Sequence, residues 1–102
     1  MSEIPVRRVI RLFPDYGYKW PLWENNTVEH PTKYTMEPAD YGLSRNLTNR
    51  LRAWYDTWEA ERVYLSGWSS RDKERTWIAQ GASIAEQLRY EVRAFADVEY
   101  EP

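Results

Sequence analysis

The chain has 102 residues, of which 42% are hydrophobic and 29% charged, and its formal net charge is −2. That balance describes one folded domain, 1–102, and argues against a disordered chain, a membrane span and a binder driven by nucleic-acid phosphates. Cysteine is absent and His30 is the one histidine, which excludes disulfides, thiolate nucleophiles and cysteine zinc sites, while six tryptophans and eight tyrosines form the conspicuous stock.

Met1 to Pro5 lacks the basic and then apolar pattern of a secretion signal, so the sequence reads as cytoplasmic. Val6 to Phe13 is rich in β-branched residues. Val6, Ile10 and Leu12 fall on one face and Arg7, Val9, Arg11 and Phe13 on the other, which predicts a strand. Phe13-Pro14-Asp15-Tyr16-Gly17 is a turn signal, with proline at the second position. From Tyr18 to Tyr41, Pro21, Pro31 and Pro38 forbid a long helix. Lys19 to Glu24 and Lys33 to Met36 are the strand pieces expected there, separated by the polar Asn25-Asn26-Thr27 bend.

Ser44 is an N-cap for a first helix whose stripe is Leu47, Leu51, Trp54, Trp58 and Leu65, widened by Val63 and Tyr64 and stopped at Ser66-Gly67. Ser69 with Asp72 approximates a capping box for a second helix. Its face steps through Trp77, Gly81, Ile84, Leu88, Val92 and Phe95. Gly81 costs about 1 kcal/mol against alanine in a helix, so its place on the apolar face predicts close approach of another backbone. After Ala96, Val98 and Tyr100 alternate with acidic residues, as in a half-buried edge strand.

The order β-β-β-α-α-β is an α+β fold, a small and mostly antiparallel sheet with two antiparallel helices packed on one face. The C-terminal strand or the first strand is then an open edge, which would admit a homodimer.

Function has to be sought among the aromatics and charges. Tyr16, Tyr18, Trp20 and Trp23 are either a stacking platform or cover for the helices, and the burial of Trp20 and Trp23 separates the two. Trp54 and Trp58 share a helical face and are core by spacing, whereas Tyr55, Tyr64 and Trp68 are expected to show at the surface beside Asp56, Glu59 and Glu61. The partner-binding set is therefore Trp20, Trp23, Tyr55, Asp56, Glu59 and Trp68, facing a basic protein.

Arg45, Arg50 and Arg52 precede Asp56, Glu59 and Glu61 along the first helix, against the helix dipole. With Arg7, Arg8 and Arg11 they form either an arginine face for nucleic acid or internal ion pairs with Glu37, Asp40 and the acidic tail. Neither His30 nor the carboxylate pairs Glu37/Asp40 and Glu59/Glu61 make a catalytic pattern, and no phosphate-loop, dinucleotide, metalloprotease or nucleophile-elbow motif occurs. A non-catalytic protein-binding module without cofactor or metal is the first reading. A ligand-binding or enzymatic pocket walled by Tyr16, Trp20 and His30, with Asp15, Glu37 or Asp40 as polar groups, is the second. Nucleic-acid binding is the third.

Trp20-Pro21-Leu22-Trp23-Glu24, and Asp40-Tyr41-Gly42-Leu43-Ser44 followed by Leu51-Arg52-Ala53-Trp54-Tyr55, resemble a group of small uncharacterised bacterial proteins over roughly residues 6–60. In size, acidity and aromatic content the chain is also similar to immunity proteins of bacterial toxin systems. That resemblance implies a basic toxin domain as the partner, and it transfers no site residue.

Overall fold

A computed structural model describes residues 6–63 and 67–102. Among them, β1 (Arg8–Leu12), β2 (Leu22–Glu24), β3 (Tyr34–Met36) and β6 (Ala96–Tyr100) form a sheet in the order β3-β2-β1-β6. A two-residue pair, β4 (Arg62–Val63) with β5 (Gly67–Trp68), joins α1 (Arg45–Glu61) to α2 (Arg71–Val92). The α+β architecture is as expected, and the four-stranded sheet has two antiparallel strand pairs and one parallel pair, β1 with β6. The first strand is central rather than an edge. The first helix stops at Glu61 instead of running on to Leu65, because the chain turns there into the β4–β5 pair. Tyr64, Leu65 and Ser66 lie outside the described residues.

Period-2 alternation decides which face of the sheet the helices cover. Ile10, Leu12, Leu22, Met36, Ala96 and Val98 point into the core, while Val9 and Arg11 point away from it. Against them lie Leu47, Leu51, Trp54, Tyr55 and Trp58 of α1 and Trp77, Ile84, Ala85, Leu88 and Val92 of α2. The helices run antiparallel and are joined by a tryptophan pair. The Trp54 and Trp77 rings stack at 4.3 Å and 4°. Each indole N–H donates to the other residue's backbone carbonyl, at 2.9 and 2.8 Å. Gly81 admits close approach, as its position implied, but of rings and not of a backbone. A Cβ there would come 2.7 Å from Trp54 Cζ2 and closer still to the Tyr100 hydroxyl.

Both helix starts are capped by serine. Leu47 N–H donates to Ser44 Oγ at 3.1 Å, and Lys73 N–H to Ser70 Oγ at 3.1 Å. The second cap is thus Ser70, one residue beyond the predicted Ser69, whose hydroxyl donates to Glu61 instead. The expected clash of Arg45 with the α1 dipole has a counterweight from α2. The Glu91 carboxylate accepts from Ser44 N–H at 2.7 Å and from the Ser44 hydroxyl at 2.6 Å, which seats a negative charge at the N-terminus of α1.

The outer edge of β6 is guarded. Arg8 N–H donates to Phe95 O and Glu101 N–H to Leu12 O, and this parallel pattern turns the carbonyls of Ala96 and Val98 away from β1. Arg7 Nη2 donates to Ala96 O at 2.8 Å and Arg89 Nη2 to Val98 O at 3.3 Å, so two guanidinium groups occupy the acceptors that an added strand would use. Arg7→Ala with Arg89→Ala is expected to raise self-association, read by light scattering as a larger apparent mass than the parent's at the same concentration.

Candidate functional site

The turn after β1 carries the first group of predicted residues onto α1. Gly17 adopts φ 85°, which lets the chain bend back, and the Tyr55 hydroxyl donates to Asp15 O beneath it. Tyr16 packs on Trp58 with ring centroids 4.5 Å apart. Arg52 ties the loop to the helix. Its Nη1 donates to Lys19 O, and its guanidinium lies over the rings of Trp20 and Tyr55 at 5.1 and 5.2 Å. The same guanidinium pairs with Asp56 at 2.9 Å and Glu59 at 3.5 Å. Trp20, Arg52, Asp56 and Glu59 thus form one patch with Trp20 half-buried at its border, two carboxylates sharing one guanidinium.

The remaining members of the predicted set lie elsewhere. Tyr55 is 0% exposed, and its expected place at the surface is corrected by the loop that closes over it. Trp23 is 2% exposed, on the sheet face away from the helices. It is enclosed by Phe13 at 4.7 Å, Tyr18 at 4.7 Å and Tyr34 at 5.5 Å, and its Nε1 donates to Phe13 O at 2.8 Å. Tyr34 reaches it only because its backbone sits at φ 71°, a left-handed conformation that costs a non-glycine residue about 1–2 kcal/mol. Paired with Glu24, whose side chain is on the helix side, Tyr34 is turned over to the opposite face. Trp68 packs on Trp77 at 5.2 Å, in a groove of about 360 Å³ that also includes Thr57, Glu61 and Lys73. A rotation of about 100° per residue puts Thr57 and Glu61 on the flank of α1 opposite Asp56 and Glu59, so Trp68 belongs to a second surface.

The pocket expected from Tyr16, Trp20 and His30 does not assemble. Tyr16 covers Trp58, Trp20 borders a groove with Tyr18 and Lys33 beside β3, and His30 lines a separate cleft along β1, its Nε2 2.8 Å from Val6 O. Glu37 and Asp40 share Lys33, at 3.6 and 2.9 Å. Among the described residues no group of three or more His, Asp or Glu is placed to hold a metal ion. The arginines are largely drawn into internal pairs: Arg7 with Asp97 at 3.0 Å, Arg8 with Glu24 at 2.7 Å and Arg11 with Glu101 at 2.9 Å. Arg50 bonds Gln87 and Ser83 on α2. Arg7, Arg8 and Arg11 therefore each have an acidic partner, and two of those partners come from the acidic C-terminus.

One feature that sequence reasoning missed is the buried carboxylate of Glu24, 2% exposed. Arg8 grips it with two bonds, 2.9 and 2.7 Å, and the Tyr41 hydroxyl donates to it at 2.8 Å. Burial and that bond push the Tyr41 phenol well above its ordinary pKa. The signal was present in the strand phase, since Glu24 shares a face with Leu22, but its partners come from β1 and from the 3-10 turn at Pro38–Tyr41.

Two carboxylates carry a pH dependence. Burial works to raise Asp40 and Glu91, yet bonds hold both below their ordinary values of 3.8 and 4.5, from Glu37 N–H and Lys33 on Asp40 and from Ser44 on Glu91. A depressed native pKa means that the unfolded chain takes up protons first as pH falls. Their stabilisation is therefore complete above the ordinary carboxylate range and is lost as pH falls through the depressed native values. Urea midpoints followed from pH 6 to pH 2 should decline, and Asp40→Asn with Glu91→Gln should flatten the decline while lowering the plateau.

A family model described as Serratia CdiI immunity protein-like matches the chain over residues 8–102. Among curated proteins, none matches.

Proposed function

The chain belongs to the Serratia CdiI immunity protein-like family, and from that premise we propose that it neutralises a bacterial toxin by binding it, without catalysis of its own. The observation that carries the reading is the family match over residues 8–102, joined to a surface suited to a basic protein. That surface is the flank of α1 where Asp56 and Glu59 share Arg52 beside the half-buried Trp20. Two carboxylates against one guanidinium leave a negative excess, which steers a basic partner toward the patch, and the Trp20 ring offers apolar area to anchor it. Trp23 and Tyr55 support the patch from within, by fixing the loop of residues 13–20 against the body. Trp68, on the other flank, is no part of it.

A search of the neighbouring genes for an encoded toxic domain, calorimetric titration of the chain with that domain, and growth of cells that make both test the reading. A one-to-one complex and restored growth are expected. Trp20→Ala with Asp56→Lys and Glu59→Lys should weaken the complex by at least about tenfold. A chain that leaves the toxin unbound and the cells unprotected would remove the proposal.

A further inference from the structure

The sheet face turned away from the helices holds a cleft of about 440 Å³ between β1 and the loop of residues 25–30. Its apolar surface is Val6 and Val9, 61% and 40% exposed, and the loop that walls it carries Val28, 95% exposed. The wall is preorganised. Thr27 N–H donates to His30 O at 3.1 Å, His30 N–H to Thr27 Oγ1 at 3.0 Å, and Thr32 ties the loop back through Asn26 Oδ1 at 2.9 Å and Glu24 O at 2.6 Å.

Charge in the cleft is unevenly satisfied. Arg7, Arg8 and Arg11 line it, and each is already paired, with Asp97, Glu24 and Glu101. Glu29 and Glu99 also line it, and neither forms an ion pair or a hydrogen bond among the described residues. Among the described residues the three arginines face five carboxylates, Glu24, Glu29, Asp97, Glu99 and Glu101, so the excess over the valine floor is negative even though Glu99 also acts on Arg11. An anion would be repelled there, and a purely apolar segment would strip Glu29 and Glu99 of water without replacing their hydrogen bonds. A lysine or arginine meets both demands, because its aliphatic stem lies on apolar surface while its charged head reaches a carboxylate.

We infer that this cleft is a second contact site for a protein partner, which takes a lysine or arginine side chain of that partner between Glu29 and Glu99 with its stem against Val6 and Val9. The identity of the partner rests on the toxin-binding reading above; the chemistry of the cleft does not.

The experiment has two arms. In the first, the toxic domain found by the search proposed above is titrated into the parent, into Glu29→Gln/Glu99→Gln, and into Glu86→Gln, whose carboxylate lies on α2 beside Arg89. The double variant should bind roughly ten- to a hundredfold more weakly and the Glu86 variant like the parent. Binding by the double variant as tight as the parent's would overturn the cleft. In the second arm, N-acetyl-arginine amide and its uncharged citrulline counterpart are titrated into the 15N-labelled chain. Shifts at Val9, Glu29 and Glu99 with the arginine probe alone are expected, and their absence would overturn the cleft whatever the toxin does. If the parent fails to bind the toxin while the arginine probe still binds, the toxin reading falls and the cation site stands.

Discussion

Glu24→Ala is expected to lower the unfolding free energy by about 3 kcal/mol, toward the lower end of the cost of breaking a buried ion pair because Arg8 keeps some access to water. The substitution removes the carboxylate and leaves the Arg8 guanidinium, held at 5.2 and 5.4 Å from the rings of Tyr41 and Phe95, without its countercharge. It also strands the Tyr41 hydroxyl, which donates to Glu24 in a buried setting. Urea unfolding followed by circular dichroism reads the loss, and a change below about 1 kcal/mol would contradict it. A companion pair separates a missing charge from a missing shape. Arg8→Met with Glu24→Leu removes both charges and fills the space with apolar atoms, so most of the stability should return.

Trp54→Ala carries the other large effect, about 3–5 kcal/mol, because it empties a ring-sized volume between α1 and α2. The same change deletes the stack on Trp77 and the bond from the Trp54 indole to Trp77 O. Trp54→Phe keeps part of the ring area and loses the donor, so it should cost less, and the difference between the two variants reads the packing share. Gly81 makes the position intolerant of repair, since the space opposite Trp54 is already shared with Tyr100. Trp20→Ala, which removes a half-buried ring packed at the edge of the core, should lower the melting midpoint less than Trp54→Ala and, on the toxin-binding proposal, weaken the complex. That contrast between two tryptophans is the practical form of the division between core and recognition.

Helices and strands were legible where one periodicity ran long enough. The stripe from Leu47 to Trp58 and the stripe from Trp77 to Val92 became the buried faces of α1 and α2, because a 3.6-residue repeat commits a face whatever it packs against. The alternation at Ala96, Val98 and Tyr100 likewise became the edge strand β6. Legibility failed where contacts between distant segments decide. Tyr55 sits beside the α1 stripe and reads as surface, yet the loop from Pro14 to Trp20 folds over it, and nothing local to Tyr55 records that loop. Trp23 occupies the outward phase of β2 and is buried all the same, because Phe13, Tyr18 and Tyr34 converge on it from three other segments.

The candidate site divides in the same way. Composition alone pointed to aromatics and acids and away from thiols and cysteine metal sites, because a residue type absent from a chain cannot act anywhere in its fold. Which acids are free to meet a partner was a tertiary outcome. Asp97 and Glu101 are drawn to Arg7 and Arg11 by the parallel pairing of β6 with β1, whereas Glu29 and Glu99 form no ion pair among the described residues. The sequence by itself determined the α+β class, the buried stripes and the supply of side chains, since these follow from local period and composition. Tertiary structure decided which tryptophans reach solvent, which charges cancel and where Glu24 is buried, since each depends on residues far apart in the chain meeting at bonding distance.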